Sequence, residues 1–324
     1  MRYLITGGAG FIGSHLAESL LAAEHEVLIL DDYSTGRHEN LAGLESSHRL
    51  RIHYGTITDR DVVRECVAQV DQVFHLASAV GVQLIMDRTI DTIHTIVEGS
   101  AIVLAECARY RRPVLLTSTS EVYGKSQQTP FHEDSDSVIG PPGLRRWSYA
   151  AAKSLDEFMA LAYWHQMRLP VIIARLFNTV GPRQTGQYGM VIPRFVTQAL
   201  RGEPISIYGD GKQTRCFCHV KDVVRALTGL MSHPECRGQV FNIGNDREIS
   251  INGLAEMIRT RAHSSSGIRH IPYSEAYGPG FEDMLRRVPD LSKIRLAIGY
   301  TPEWSLEALL DDIIAHVRDE LAAD

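Results

Sequence analysis

Short strand-like runs alternate with longer amphipathic stretches through the first half of the chain. Residues 3–6, 26–30, 51–54, 72–76, 114–118 and 171–175 read as strands, most of them apolar on successive positions, as strands covered on both faces must be. Between them, residues 12–23, 60–70, 93–110 and 149–167 carry apolar side chains at helical spacing. This rhythm predicts βαβ units and an α/β fold of Rossmann type, a doubly wound parallel sheet with helices on both faces. After about residue 176 the rhythm breaks, and Gly181-Pro182, Gly209-Asp210-Gly211 and Tyr277-Gly278-Pro279-Gly280 punctuate shorter elements. Residues 1–176 are therefore expected to form the sheet domain and 177–324 mainly a smaller, interleaved lobe. Returns to the sheet are expected within 217–244, at 217–220 and 240–243.

Composition narrows the possibilities. At 324 residues, 44% hydrophobic and 22% charged, the chain can build its core without disulfides or a structural metal. A net charge of −6 and a pI near 6.2 argue against a nucleic-acid partner, yet a few arginines and helix N-termini could still hold a small anion. The five cysteines, Cys66, Cys107, Cys216, Cys218 and Cys236, form no Cys-x-x-Cys pair. They read as buried thiols in a reducing compartment, with Cys216 and Cys218 on one face of a strand and no metal site. The chain opens straight into Tyr3-Leu4-Ile5, and no stretch approaches the ~20 apolar residues of a membrane span. A cytoplasmic protein without membrane contacts is the expectation.

Gly7-Gly8-Ala9-Gly10-Phe11-Ile12-Gly13 lies between the first strand and the first helix. Gly7, Gly10 and Gly13 have the spacing of a turn that brings backbone close to a pyrophosphate, with the phosphate charge on a helix N-terminus. Asp31 ends the second strand about 18 residues after Gly13, where a carboxylate accepts both ribose hydroxyls and repels a 2′-phosphate. NAD is therefore expected in preference to NADP.

With Tyr149-Ala150-Ala151-Ala152-Lys153 on a later helix, the chain resembles the extended short-chain dehydrogenases/reductases over nearly its whole length. Also in register are Thr117-Ser118-Thr119-Ser120-Glu121-Val122-Tyr123-Gly124, Arg175-Leu176-Phe177-Asn178, Tyr208-Gly209-Asp210-Gly211, Thr214-Arg215 and Pro289-Asp290-Leu291-Ser292-Lys293. Spacing i, i+4 stacks Tyr149 and Lys153 on one helical face. The ammonium and the nicotinamide charge would lower the phenol pKa, so that the phenolate takes a proton from a sugar hydroxyl shared with Thr119. The resemblance implies that Gly7, Gly10, Phe11, Ile12, Gly13, Asp31, Leu76, Tyr149 and Lys153 hold NAD. It implies a nucleotide-sugar substrate, with Asn178 at the diphosphate or sugar, Val191 at the base, and Arg215 with Arg286 or Arg287 at the phosphates. It also implies a homodimer built through helices 93–110 and 149–167. Two positions depart from the family: Gly55-Thr56 stands where most members read Gly-Asp, and Ile96 replaces a common Asn.

Members of this family oxidise carbon 4 of the sugar and then diverge into 4-epimerases, uronate decarboxylases and 4,6-dehydratases. Ser120, Glu121 and Arg287 are the discriminating positions. The triplet Thr119-Ser120-Glu121 resembles both uronate decarboxylases and GDP-mannose 4,6-dehydratases. The segment Lys212 to Phe217 and the tail from Tyr277 to Pro289 most resemble a uronate decarboxylase, with Arg287 near the sugar carboxylate. Glu121 would then return the proton that replaces carbon dioxide. Those decarboxylases carry Pro-x-x-Tyr after the fourth strand, where this chain reads Ala77-Ser78-Ala79-Val80-Gly81-Val82. Decarboxylation is the first reading, 4-epimerisation the second and 4,6-dehydration the third. A non-catalytic NAD sensor would be expected to lack Tyr149 or Lys153.

Overall fold

The computed structural model describes residues 1–78, 88–186, 190–276, 284 and 286–323. Six strands of the first half, β1 (Arg2–Thr6), β2 (Glu26–Asp31), β3 (Leu50–Tyr54), β4 (Gln72–His75), β5 (Val114–Thr119) and β6 (Val171–Leu176), join a late strand, β11 (Gln239–Ile243). Numbered in chain order, they form a seven-stranded sheet, β11-β6-β5-β4-β1-β2-β3, parallel throughout. The fold is the expected Rossmann-type α/β sheet.

Alternate residues of each strand feed two apolar layers. Ile5, Ile29, Phe74, Leu115 and Ile172 face a layer that includes Leu16 and Leu20 of α1 (Phe11–Ala22) and Val223 and Leu227 of α6 (Val220–Ser232). Their neighbours Leu4, Leu28, Leu30, Val73, Leu116 and Ile173 face the other layer. That layer contains α2 (Arg60–Ala68), α3 (Thr89–Tyr110) and α4 (Ser148–Met167). Both sheet faces are dry, hence the near-continuous apolar runs; each fully buried Leu or Ile contributes about 1.5–3 kcal/mol. Edge strand β3 is largely exposed, which is why its sequence is mixed.

A third apolar cluster forms from the second half. It joins α5 (Val191–Leu200), α7 (Ile251–Arg261) and α9 (Leu306–Ala323), which follows α8 (Ser292–Ile298). Three small ladders surround it. They are β7 (Thr179–Val180) with β10 (Cys218–His219), β9 (Thr214–Cys216) with β12 (Glu248–Ser250), and β8 (Ile205–Tyr208) with β13 (Ile268–Ile271). Of the two expected returns to the sheet, 240–243 falls in β11. Residues 217–220 do not return as a strand. β10 pairs with β7 and is cut short because the His219 side chain accepts the Lys221 N–H and starts α6, and α6 makes the return. Cys216 and Cys218 consequently lie in different strands, and all five cysteines are buried and free.

Strand order reverses between β1 and β4, so their C-terminal ends open a crevice, the place where such sheets hold ligands.

Candidate active site

That crevice widens into a cleft of about 740 Å³, running from the glycine turn to the third cluster. At its floor β1 hands over to α1. Gly7 has φ +73°, and a Cβ there would lie 2.8 Å from the Ala77 nitrogen. A Cβ on Gly13 would overlap the Gly7 carbonyl oxygen, so only glycine lets α1 start so close to the turn. Helix α1 begins after Gly10 with no side-chain cap, leaving its N–H groups for an anion. Phe11, Ile12 and Leu76 line the same end.

Asp31 is buried at the tip of β2, where its oxygens accept the N–H groups of Ala9 and Tyr33, each at 2.8 Å. Burial raises its pKa, and the two N–H bonds oppose the rise. A carboxylate oxygen has two lone pairs, so both oxygens keep acceptor capacity toward the cleft. Glycine cradle, uncapped helix and carboxylate together fit a dinucleotide.

Beyond the turn, β5 ends in Thr119, whose hydroxyl accepts the Glu121 N–H and bonds the Tyr149 phenol. The footing is rigid: buried Arg175 on β6 pairs with Glu157 of α4 at 2.7 Å and donates to the Tyr123 hydroxyl at 2.9 Å. Tyr149 and Lys153 are buried one helical turn apart on α4 and line the cleft. The expected lowering of the phenol pKa is absent in the protein itself. Burial raises it, the Glu121 charge adds to the rise, and the Thr119 bond opposes. Lys153 gives its ammonium to Asp156 at 3.0 Å, so its charge is partly spent there.

Glu121 is buried between two guanidiniums, Arg146 at 2.6 Å and Arg287 in a still closer ion pair. Burial raises its pKa, but Arg287 first and then Arg146 outweigh burial and hold it at about 2. A carboxylate so held is ionised at neutral pH in the protein alone. Ser120 is buried beside it and also lines the cleft.

Farther along, Asn178, Val191 and Arg215 reach the cleft. The Asn178 amide donates to the Cys216 carbonyl at 2.9 Å, and Arg215 is buried on β9. Arg286 does not reach it. Its guanidinium makes two bonds to Glu248 of β12, at 2.6 and 3.1 Å, on the surface. Adjacent side chains of an extended segment point to opposite sides, so turning Arg287 inward turns Arg286 out. Sequence reasoning missed Arg146 and Asp156. Both stand at helical spacings, three residues before Tyr149 and three after Lys153, which is the signal that could have found them. The loop from Ala79 to Val82 and the stretch 277–283 lie outside the described residues.

Fold and site together define an extended short-chain dehydrogenase/reductase. The family model for GDP-mannose 4,6 dehydratase matches residues 4–313, and the chain belongs to that family. It is 42% identical over 322 residues to a UDP-N-acetyl-alpha-D-glucosaminuronate decarboxylase of Bacillus cytotoxicus, covering 98% of both chains. A UDP-glucuronic acid 4-epimerase of Bacillus cereus, solved with UDP-glucuronic acid and NAD, superposes with a TM-score of 0.89 at 26% identity, covering 99% of this chain and 100% of that one. A dTDP-glucose 4,6-dehydratase of Streptomyces venezuelae, solved with NAD, gives 0.89 at 30% identity, with 100% and 98% covered. Among the described residues no helix is long and apolar enough to cross a membrane.

Proposed function

We propose that the chain is an NAD-dependent nucleotide-sugar decarboxylase acting on an NDP-hexuronate of the UDP-glucuronate type through a 4-keto sugar. The observation that carries this reading is the buried Arg146–Glu121–Arg287 cluster beside Tyr149. Two guanidiniums flank one carboxylate on the wall of the cleft, and a substrate carboxylate entering there would meet charge-assisted donors. A uronate brings that carboxylate; a neutral hexose does not. The decarboxylase relative at 42% identity supports the same choice.

NAD, when bound, supplies the hydride acceptor. The protein's own part begins with the glycine turn and the α1 N-terminus holding the pyrophosphate, and Asp31 the ribose. Thr119 and Tyr149 share the carbon-4 hydroxyl. Tyr149, whose phenol burial and Glu121 keep protonated in the protein alone, would take that proton when Lys153 and the charge of the bound nicotinamide bring it to the phenolate. Arg287 orients the sugar carboxylate for departure as carbon dioxide, while Glu121 and Arg146 keep the guanidinium aimed. The electron pair passes into the 4-ketone as an enolate that takes a proton from water at carbon 5. Residues 177–324 form most of the nucleotide-sugar lobe, with Asn178, Val191 and Arg215 at the nucleotide. The protein works as a homodimer, and its buried reduced thiols suit the cytoplasm. A uronate 4-epimerase would share every feature up to the 4-keto sugar, and the epimerase neighbour keeps that reading second.

Incubation with NAD and either UDP-glucuronate or its 2-N-acetyl analogue decides between them by mass spectrometry. Loss of carbon dioxide is expected; a product of unchanged mass with inverted carbon 4 would replace decarboxylation by epimerisation. Arg287→Ala should still oxidise carbon 4 but release carbon dioxide about 10²–10³-fold more slowly. If only substrate affinity falls, Arg287 merely holds phosphate.

A further inference from the structure

Behind Lys153 lies a line of buried polar groups that the reaction above does not use. The Lys153 ammonium donates to Asp156 Oδ2 at 3.0 Å, and the Ser100 hydroxyl of α3 donates to the same oxygen at 2.9 Å. Ser100 Oγ is 3.0 Å from His75 Nε2 at the end of β4, and His75 Nδ1 is 2.7 Å from Thr6 Oγ1 at the end of β1. Thr6 Oγ1 accepts the Ala77 N–H at 3.2 Å, and Ala77 is the residue against which Gly7 closes. Asp156 and Thr6 are completely buried, and Ser100, His75 and Lys153 are at most 3% exposed. Burial keeps His75 neutral, with its pKa down at about 3, and the Lys153 charge acts in the same direction.

Neutral His75 fixes the sense of every bond. Ser100 has one hydroxyl proton and gives it to Asp156, so it must accept from His75, which assigns the Nε2–H tautomer. Nδ1 is then an acceptor, so Thr6 donates to it and is free to accept from Ala77. All the dipoles point one way, toward the Asp156 carboxylate. Aligned dipoles are what a carboxylate needs to stay ionised without water.

We propose that Asp156 is the positioning residue of the active-site lysine, held by the Ser100–His75–Thr6 line, and that its charge helps set the pH range in which Tyr149 works. The assignment rests on the reading of Tyr149 and Lys153 as the proton-handling pair. The helix carries the geometry: Tyr149, Lys153 and Asp156 are four and three residues apart, on one stripe of α4. Ile96 packs against Tyr149 and Ala152 and, being apolar, offers Lys153 no polar contact. Burial and then Glu121 hold the proton on the phenol, Asp156 adds to them through space, and Thr119 and Arg146 act against them. Around Asp156 itself, burial and the neighbouring Glu157 favour the neutral acid, while Lys153 and Ser100 favour the ion.

Asp156→Asn keeps the shape and an acceptor but removes the charge. The phenol should then lose its proton at lower pH, and turnover against pH should move toward acid by about 1 pH unit. In the protein alone, competitive acetic anhydride labelling, read peptide by peptide at one fixed pH, should show Lys153 labelled several-fold faster once its ammonium has lost its ionic partner. A purely structural Asp156 predicts lower activity or a lower melting temperature with the pH profile and the labelling unchanged, and that result would overturn the proposal. Should the Asn variant fail to fold, Ser100→Ala serves. It loosens the ionised form of Asp156 and should change both readouts the same way by less; unchanged readouts reject the role. Near-normal turnover in Tyr149→Phe would instead sink the reading of the proton-handling pair, independently of the lysine labelling.

Discussion

Asp31 joins structural and functional demands in one side chain. Its oxygens hold the Ala9 N–H of the glycine turn and the Tyr33 N–H that follows β2, while the same group faces the cleft. Asp31→Ala removes both anchors, about 1–3 kcal/mol of stability, together with the charge. Asp31→Asn loses the charge but keeps one acceptor oxygen, for the Ala9 or the Tyr33 N–H and not both, so it gives up less of the structural role than Ala. Both variants should bind NAD more weakly and reject NADP less by calorimetry, and the Ala variant should melt lower than the Asn variant. Unchanged cofactor preference in the Asn variant would mean that the carboxylate does not read the ribose. At this scale the sequence was legible where spacing carries chemistry. Asp31 after the glycine run, and Tyr149 with Lys153 after a Ser/Thr-rich strand end, all line the cleft. Arg146 and Asp156 were hidden because a charge at helical spacing usually marks a solvated face. Which of Arg286 and Arg287 turns inward depends on Glu248 and Glu121, 38 and 166 residues away in the chain, and no local pattern records that.

Elements were more legible than residues. A strand buried on both faces has to be apolar on successive positions, so β1, β2, β4, β5 and β6 stood out, and the observed ends moved by only a residue or so. Helix α3 starts at Thr89, earlier than the expected 93, because its first turn holds a single apolar residue, the exposed Ile90, too little to show a period; Arg88 and Asp91 pair there at 2.9 Å. The short ladders β7·β10 and β9·β12 were not legible, since two or three residues are too few to show a period. The glycine turn is where element and site meet, and Gly13→Ala tests it. The added methyl would overlap the Gly7 carbonyl oxygen and crowd the Gly8 Cα, both of them backbone, so the start of α1 must shift as a body. A lower melting temperature is expected, of the order of 1–3 kcal/mol for an overpacked site, with NAD binding lost or much weakened. Unchanged NAD affinity would show that the close approach of α1 to the turn is not required for the dinucleotide.

Over the whole molecule, the site sits where the doubly wound sheet meets the third apolar cluster, and the two helices that flank it also present exposed apolar side chains. On α4, Leu155 and Phe158 are 49% and 74% exposed; on α3, Ile90 and Ile93 are 73% and 38% exposed. Within each pair the residues are three apart and share a stripe, and α3 and α4 flank the same face of the sheet. By helical spacing, Leu155 and Phe158 lie away from Tyr149 and Lys153, so the stripe can be covered without blocking the cleft. Exposed apolar groups on adjoining helices are the mark of an interface, and a second copy of the chain offers a matching stripe by two-fold symmetry. Leu155→Glu combined with Phe158→Glu would place carboxylates in that contact, each without a partner. Sedimentation should find the unaltered protein at twice the chain mass and the double variant at the chain mass, with secondary structure retained because both positions are already exposed in one chain. A double variant that still sediments as a dimer would move the interface elsewhere, and an unaltered protein that runs as a monomer at micromolar concentration would remove it.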